Sequence, residues 1–316
     1  LDLSVIIVNW NDKDHLRDCL KSVYEESQGL SFEVVVVDNA SSDGSSGMVK
    51  EEFPQAILME NDENAGFARA NNQAIDKSRG KYVCLLNPDS VVLDGALEKM
   101  MDFMEQHPQV GVSGGKTLNP KGKVLFFRSA RRFPTPFSKF CTDVHLDRIF
   151  SRWGLFGDFS MAGWDRNDER EVDVISGAFM FVRKEAVMEA GLLDERFFLL
   201  AEDVDWCRRI KQKNWKIRFN PRAEIIHFGG GSIDRIKRTR LENDIRSHLL
   251  YFRKHHGWFS AFSFRFFASL ANLVKAVYWI ARFFFVKNRR LALANAVSHF
   301  RAVFFSLTVS IDTKGH

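Results

Sequence analysis

Val34-Val35-Val36-Val37-Asp38-Asn39-Ala40-Ser41-Ser42-Asp43-Gly44 decides how the rest of the chain is read. Four consecutive valines leave no polar face, the pattern of a strand buried on both sides in a parallel sheet. Asp38 closes that run. Ser41, Ser42, Asp43 and Gly44 then supply turn and capping chemistry for a following helix. The pattern returns at Lys81-Tyr82-Val83-Cys84-Leu85-Leu86-Asn87-Pro88-Asp89-Ser90, again an apolar strand ending in an acid. In open α/β sheets, ligands bind beyond the carboxyl ends of the strands. Two acids at two such ends have the placement needed to grip a nucleotide and its metal, although either alone also reads as a turn former.

Working outward, strands predicted at 3–8, 32–37, 57–59 and 82–86 alternate with helices at 14–24, 46–53, 67–77 and 95–106. On the first helix Leu16, Leu20 and Val23 share one face, and the last stops before Pro108. Such alternation predicts a parallel α/β sheet. Residues 110–116 and 172–183 read as further strands of a mixed sheet. Pro134, Pro136 and the Gly-, Asp- and Asn-bearing stretch 153–170 mark a long irregular excursion, the kind of segment that forms lids or binding loops.

A third acidic site lies in Phe197-Phe198-Leu199-Leu200-Ala201-Glu202-Asp203-Val204-Asp205-Trp206-Cys207-Arg208-Arg209. Apolar flanks place Glu202 and Asp203 at the edge of a buried element, where desolvation can raise a carboxyl pKa toward general-base range. The alternative is a helix start whose acids complement the helix dipole.

The chain has 316 residues, 45% of them hydrophobic, enough for one large domain with a sizeable core plus an appendage. The net charge of +5 is modest, but Arg235, Lys237, Arg238, Arg240, Arg253, Lys254, Lys287, Arg289 and Arg290 concentrate base toward the C-terminus. That points to phosphates or an anionic membrane surface. No DNA- or RNA-binding motif accompanies these charges, so nucleic acid is not the expected partner. Cys19, Cys84, Cys141 and Cys207 are scattered singly, without zinc spacing, which suits a reducing cytoplasm. Residues 1–8 read as a strand with no basic lead or cleavage site.

In this order, seven segments resemble family 2 glycosyltransferases of the GT-A fold. They are Ser4-Val5-Ile6-Ile7-Val8-Asn9-Trp10-Asn11, Val37-Asp38-Asn39-Ala40-Ser41-Ser42-Asp43-Gly44 and Asn64-Ala65-Gly66-Phe67-Ala68-Arg69-Ala70-Asn71-Asn72, then Leu86-Asn87-Pro88-Asp89, Ser176-Gly177-Ala178-Phe179-Met180, Glu202-Asp203-Val204-Asp205 and His227-Phe228-Gly229-Gly230-Gly231-Ser232. The Asn-Pro-Asp and Ser-Gly-Ala segments are most similar to the rhamnosyltransferase-type branch. The resemblance implies an α/β, Rossmann-like mixed sheet flanked by helices over residues 1–235. A basic, aromatic, helical extension would cover 236–316.

The resemblance also implies an inverting transfer of a sugar from a nucleoside diphosphate to a saccharide acceptor, in cell-surface polysaccharide assembly. The favoured donor is dTDP-L-rhamnose and the favoured acceptor is polyprenyl-diphosphate-linked. Asp203 is then the general base, with Glu202 orienting it or contacting the acceptor. Asp89 and His227 are the candidate ligands of Mg²⁺ or Mn²⁺, and Asn87, standing where the family's metal motif begins with Asp, is counted with the nucleotide-binding residues. Asp38 would accept the imide N–H of a pyrimidine. Val8, Asn9 and Trp10 would line the base pocket, and Asp43 and Asn64 would face the nucleoside or its ribose. The turn through Gly66 and Phe67 would present helix N–H groups to the diphosphate. The glycine-rich segment after His227 would close over it as a flap.

Residues 258–285 are rich in Phe and Trp, but Arg265, Lys275 and Arg282 interrupt them, short of the about 20 apolar residues that cross a bilayer. On a helix, Arg265, Ser269, Asn272, Lys275 and Arg282 fall within one arc, with Phe266, Phe267, Leu270, Leu273, Val274, Val277, Tyr278 and Ile280 over much of the rest. This predicts a helix in the membrane interface, aromatics inserted and cations toward lipid phosphates. The expected place is peripheral, on the inner face of the cell membrane. Packing against the catalytic domain or a second subunit is the other reading.

A P-loop is excluded because no Gly-Lys-Ser/Thr ending exists. A dinucleotide site is disfavoured because no G-x-G-x-x-G follows the first strand. A sugar-nucleotide pyrophosphorylase would carry a Gly-, Arg- and Lys-bearing loop where this chain has Asn9-Trp10-Asn11-Asp12. A UDP-hexose-dependent transferase of the same family and a non-catalytic membrane scaffold of the same fold stand as alternatives.

Overall fold

In the computed structural model, all four valines of the opening stretch are buried. The structure describes all residues except 28, 152, 230–236, 287 and 311–316, and the side chains of 237–239. The expected flap at Gly230, Gly231 and Ser232, and the cations Arg235, Lys237, Arg238 and Lys287, therefore lie outside the described residues or side chains.

The elements run β1 (Leu3–Asn9), α1 (Lys13–Glu25), β2 (Phe32–Asp38), α2 (Ser45–Glu52), β3 (Ile57–Glu60), α3 (Phe67–Lys77), β4 (Tyr82–Leu86), β5 (Ser90–Leu93), α4 (Ala96–Gln106) and β6 (Val110–Leu118). A 3₁₀ turn at Phe126–Arg128 leads to β7 (Ala130–Arg131), α5 (Pro136–Asp143), α6 (Leu146–Ile149) and α7 (Gly154–Gly157). Then follow β8 (Arg170–Glu171), β9 (Val174–Ile175), β10 (Phe179–Arg183), α8 (Lys184–Ala190), α9 (Glu202–Gln212), β11 (Lys216–His227), α10 (Lys237–Phe283) and α11 (Arg289–Thr308).

These form two compact units. The first comprises Leu1–Phe133, Trp164–Phe198 and 202–229; the second comprises Pro134–Gly163, Leu199–Ala201 and 237–310.

The first unit is built on one mixed sheet in the order β3-β2-β1-β4-β10-β6-β11-β5, with β8 also on β11. β1 pairs in parallel with both β2 and β4, so Asn9, Asp38 and Leu86 all finish at the same edge. β10 runs antiparallel to β4, and β11 antiparallel to β5, which brings His227 opposite Ser90. Apolar faces of α1 and α4 cover this sheet: Leu16, Leu20, Val23, Leu97, Met100 and Met104 join the buried core with Val34, Val36 and Phe181. Val35 and Val37, on the opposite face of β2, are buried as well, and such two-sided burial is what an unbroken Val run requires.

Two expectations for this region need correction. The strand expected over 172–183 is broken at Ser176-Gly177-Ala178: β9 pairs with β7 in a separate ribbon and β10 joins the main sheet. The N–H of Gly177 goes to Asp203 Oδ2 rather than to a neighbouring strand. The irregular excursion begins instead with a well-capped helix. Thr135 Oγ1 accepts from the N–H of Ser138, Ser138 Oγ accepts from the N–H of Thr135, and Pro136 sits in the first turn. A proline there loses no helical hydrogen bond.

In the second unit α10 breaks at Gly257, where φ is 79° and ψ −173°. Beyond the break, four members of the polar arc turn inward, contrary to the expectation that its cations face lipid phosphates. Arg265 donates to the carbonyls of Ser306, Leu307 and Val309, satisfying the end of α11. Ser269 Oγ donates to Val303 O, and Asn272 Oδ1 pairs with His299 Nδ1. Lys275 is partly buried, while Arg282 stays exposed. The apolar side is therefore outward: Phe262, Phe266, Val274, Val277, Tyr278 and Ile280 are exposed, and so are Phe300 and Phe304 of α11.

Candidate active site

The carboxyl ends of β1 and β2 are tied together before any ligand is considered. Asp38 is 3% exposed. Its Oδ1 accepts from Asn9 Nδ2 at 2.9 Å and its Oδ2 from the N–H of Ser41 at 2.9 Å. Each oxygen of a carboxylate has two lone pairs, so Asp38 retains acceptor capacity for an imide N–H. Asn9 Oδ1 is buried without a partner. Val8 and Trp10 on either side are half-buried.

Asn39 carries the network onward, donating to Gly66 O at 3.3 Å and accepting from Asn61 Nδ2 at 2.8 Å. Asn64 Oδ1 accepts from the N–H of Gly66. The N–H of Phe67 goes to Phe198 O at 2.8 Å. Those two N–H groups, expected at the diphosphate, are thus engaged within the protein. Gly66 is required for a specific reason: at φ 81° a Cβ would lie 2.7 Å from Phe198 O. Beside this turn, Asn61, Asp62, Glu63, Ala65, Arg69 and Gln73 line an open pocket of about 410 Å³.

Asp43 serves the scaffold. Its Oδ2 accepts from the N–H of Lys13 and its Oδ1 from the N–H and hydroxyl of Ser45, at the starts of α1 and α2. Burial acts to raise its carboxyl pKa, but the Ser45 and Lys13 donors outweigh it and hold the group below its usual value. The hydrogen bonds of Asn64 and Asp43 are to the protein's own backbone and to Ser45: Asn64 is linked toward Asp38 through Gly66 and Asn39, while Asp43 holds the starts of α1 and α2.

A second cluster gathers at the end of β4. Asn87 Nδ2 lies 3.2 Å from His227 Nε2, and Asp89 Oδ2 lies 3.4 Å from His227 Nδ1. The N–H of Phe228 donates to Asp89 O. Burial pushes His227 down to about 4. Asp89 opposes that shift, and Arg128 and His15 add to it. A neutral imidazole is the form that binds metal. Two donors on one divalent cation, each about 2.0–2.2 Å from it, sit about 3 Å apart. The Asp89–His227 separation is close to that. Asp89 and His227 could supply two ligands to a cation, and among the described residues no group of three or more His, Cys, Asp or Glu could hold one alone.

The third cluster is at the start of α9. Asp203 Oδ2 accepts from Arg131 Nη2 at 2.7 Å and from the N–H of Gly177 at 3.4 Å, while Oδ1 accepts from the N–H of Val204. Glu202, 6% exposed, leaves Oε2 without a hydrogen-bond partner. Its pKa is pushed up to about 8, first by desolvation and then by the negative Asp203. Leu200 and Ala201, just ahead, have φ of 70° and 63°. Two successive non-glycine residues in the left-handed region carry strain on the order of 1–2 kcal/mol each.

Ser176-Gly177-Ala178 bridges the clusters. Gly177 donates to Asp203, Ala178 O accepts from the N–H of Asn87, and a Cβ on Gly177 would lie 3.3 Å from the Phe67 ring. Asp38, Asp89 and Asp203 thereby belong to one connected framework. The sequence reading missed Arg128 and Arg131; the only local signal was basic residues interleaved with Phe126 and Phe127.

A mixed sheet with acids at its strand ends and a helix-start Glu-Asp pair is the GT-A fold of glycosyltransferases. The sequence profile described as Glycosyl transferase family 2 matches residues 4–189, and the chain belongs to that family. It is 26% identical over 284 residues to N-acetylglucosaminyl-diphospho-decaprenol L-rhamnosyltransferase of Mycobacterium tuberculosis, covering 82% of this chain and 87% of that one. The fold is similar to that of mannosyltransferase PcManGT from Pyrobaculum calidifontis, solved with GDP-Man and Mn2+. There the TM-score is 0.57 at 16% identity, over 97% and 87% of the two chains. It is similar also to S. aureus TarS 1-349, at TM-score 0.51 and 15% identity over 97% and 91%.

Proposed function

We propose that this glycosyltransferase moves L-rhamnose from dTDP-L-rhamnose, with inversion, to a polyprenyl-diphosphate-linked saccharide during cell-surface polysaccharide assembly. The observation that carries the chemistry is the connection of Asp38, Asp89 and Asp203 through Asn39, the Gly66 turn, Phe67 and Ser176-Gly177-Ala178. The choice of donor and acceptor is supported by the similarity to the mycobacterial rhamnosyltransferase.

Asp38 receives the pyrimidine imide N–H, with Val8 to Trp10 against the base. Asp89 and His227 would hold a Mg²⁺ or Mn²⁺ ion, which would supply positive charge beside the departing diphosphate. Asp203 takes the proton from the acceptor hydroxyl as that oxygen bonds to the anomeric carbon. The bond from that carbon to the diphosphate breaks, and the nucleoside diphosphate leaves. Glu202 orients Asp203 or contacts the acceptor.

A lipid-linked acceptor agrees with the outward apolar side of α10 and α11. Buried polar groups and exposed aromatics invert the usual order of a water-facing helix pair. Arg289–Thr308 is also long and apolar enough to cross a membrane, at mean hydropathy 1.2. We place the enzyme at the inner face of the cell membrane, with the helical unit against anionic lipid.

Incubation with a panel of dTDP- and UDP-sugars, with and without Mn²⁺, tests the reading. Metal-stimulated turnover of dTDP-L-rhamnose, lost in Asp89→Ala, is expected. Turnover of UDP-hexoses alone would overturn the donor. No turnover of any nucleotide sugar, with acceptor extracts present, would overturn the activity.

A further inference from the structure

Arg128 lies at the end of the 3₁₀ turn Phe126–Arg128, in a stretch to which neither the sequence motifs nor the fold give a role. Its backbone is fixed from two sides. The N–H donates to Leu125 O at 3.0 Å, and the carbonyl accepts from Thr117 Oγ1 of β6 at 3.0 Å. The side chain reaches the Asn87–Asp89–His227 cluster, with Nη1 3.2 Å from both ring nitrogens of His227. On its other side it fills the space that Gly229 leaves open. A Cβ at Gly229, where φ is 63°, would lie 2.8 Å from Nη1 and 3.3 Å from Cζ. The guanidinium is thus seated between the His227 ring and the Gly229 backbone, and it remains partly exposed.

The local charge balance explains what such a cation is for. Asn87 is neutral where a second carboxylate would bind metal more tightly, so a divalent ion here would have one acidic side chain, Asp89. A departing diphosphate still requires its developing charge to be neutralised. A planar guanidinium suits that task because its N–H groups match pairs of phosphate oxygens.

Building on the nucleotide-sugar reading above, we propose that Arg128 is a diphosphate-binding residue. It shares neutralisation of the leaving group with the metal and retains nucleoside diphosphate when metal is withdrawn. The ligand it selects is the diphosphate, not the base or the sugar.

The test is calorimetric titration of the full chain with dTDP, UDP, thymidine and uridine, in EDTA and again in Mn²⁺. For Arg128→Ala and Arg128→Gln, nucleoside diphosphate affinity in EDTA should fall roughly tenfold or more, while nucleoside affinity stays within about twofold. Arg128→Lys should keep an intermediate affinity, and it serves as the readout if the smaller side chains disturb folding. Added Mn²⁺ should restore a larger share of binding in the Ala and Gln variants than it adds to wild type. Unchanged diphosphate affinity in EDTA in all three variants, with wild type binding normally, would overturn the role of Arg128 and leave the nucleotide reading intact. An equal loss for nucleosides and diphosphates would also overturn it, marking Arg128 as scaffold. Failure of wild type to bind either diphosphate in either condition would bring down the nucleotide reading itself.

Discussion

Arg131 Nη2 donates to Asp203 Oδ2 at 2.7 Å between side chains that are both at least nine-tenths buried. The arginine is itself held by Phe127 O and by the face of the Phe127 ring, 5.1 Å from Cζ to the centroid. With the Gly177 and Val204 N–H groups, the Arg131 contact fixes the direction of the carboxylate proposed as the base. Arg131 is therefore a positioning residue, acting through Asp203.

Asp203→Asn should lower transfer by about 10²–10⁴-fold with little change in nucleoside diphosphate affinity. Arg131→Met should lower transfer as well and also cost on the order of 3–5 kcal/mol of stability, because it leaves Asp203 buried without its cation. The double variant carries no stranded charge, so its melting temperature should recover toward wild type while transfer stays low. Thermal melts with steady-state transfer assays measure both. Simply additive losses of stability would show that the two residues are uncoupled.

Glu202 gives a pH signature. Its pKa rises from 4.5 to about 8 on folding, through burial and then through Asp203. The folded chain thus holds the proton more tightly than the unfolded chain. Its contribution to stability is complete below about pH 4.5 and is lost as pH rises through about 8, at up to about 1.4 kcal/mol per pH unit. Glu202→Gln cannot ionise, so its stability should fall less than that of wild type between pH 5 and pH 9. Parallel denaturation profiles for the two proteins across that range would show that Glu202 ionises as it does in the unfolded chain.

Gly66→Ala should be among the most damaging single-methyl changes in the chain. The new Cβ would press on Phe198 O and on the Phe198 ring, and φ 81° with ψ 172° is a conformation open almost only to glycine. A loss of about 2–4 kcal/mol, or failure to accumulate folded protein, is expected. A melting temperature within a degree or two of wild type would mean that the Gly66–Phe198 approach is not maintained in solution.

The strand-end acids were legible in sequence because their signal is local: an apolar run, then Asp, then turn residues. Arg128 and Arg131 were not, since their partners His227 and Asp203 lie 99 and 72 residues away. Asp43 shows a different limit. Its position was visible, but so was Ser45 two residues on, and the acid is used to start two helices. For 258–285, periodicity identified which residues share a face. It could not say which face turns inward, because that depends on Arg265 meeting the carbonyl end of α11, some 41–44 residues later.

That inversion sets the last prediction. Phe262, Phe266, Val277 and Phe304 are 57–70% exposed, and large apolar side chains held outward on neighbouring helices favour insertion into lipid. Wild type should sediment with anionic vesicles. Salt should release only part of it, because the charge attraction, about 1 kcal/mol per Lys or Arg, is screened whereas apolar insertion is not. Changing those four residues to Ser should remove the salt-resistant fraction without lowering the melting temperature, since the polar groups that join α10 to α11 face the other way. Transfer to a soluble acceptor analogue should be unchanged and transfer to a vesicle-borne acceptor should drop. If wild type ignores vesicles and the four serines unfold the protein or change its oligomeric state, the surface packs on protein. A lipid-borne acceptor would then have lost its structural support.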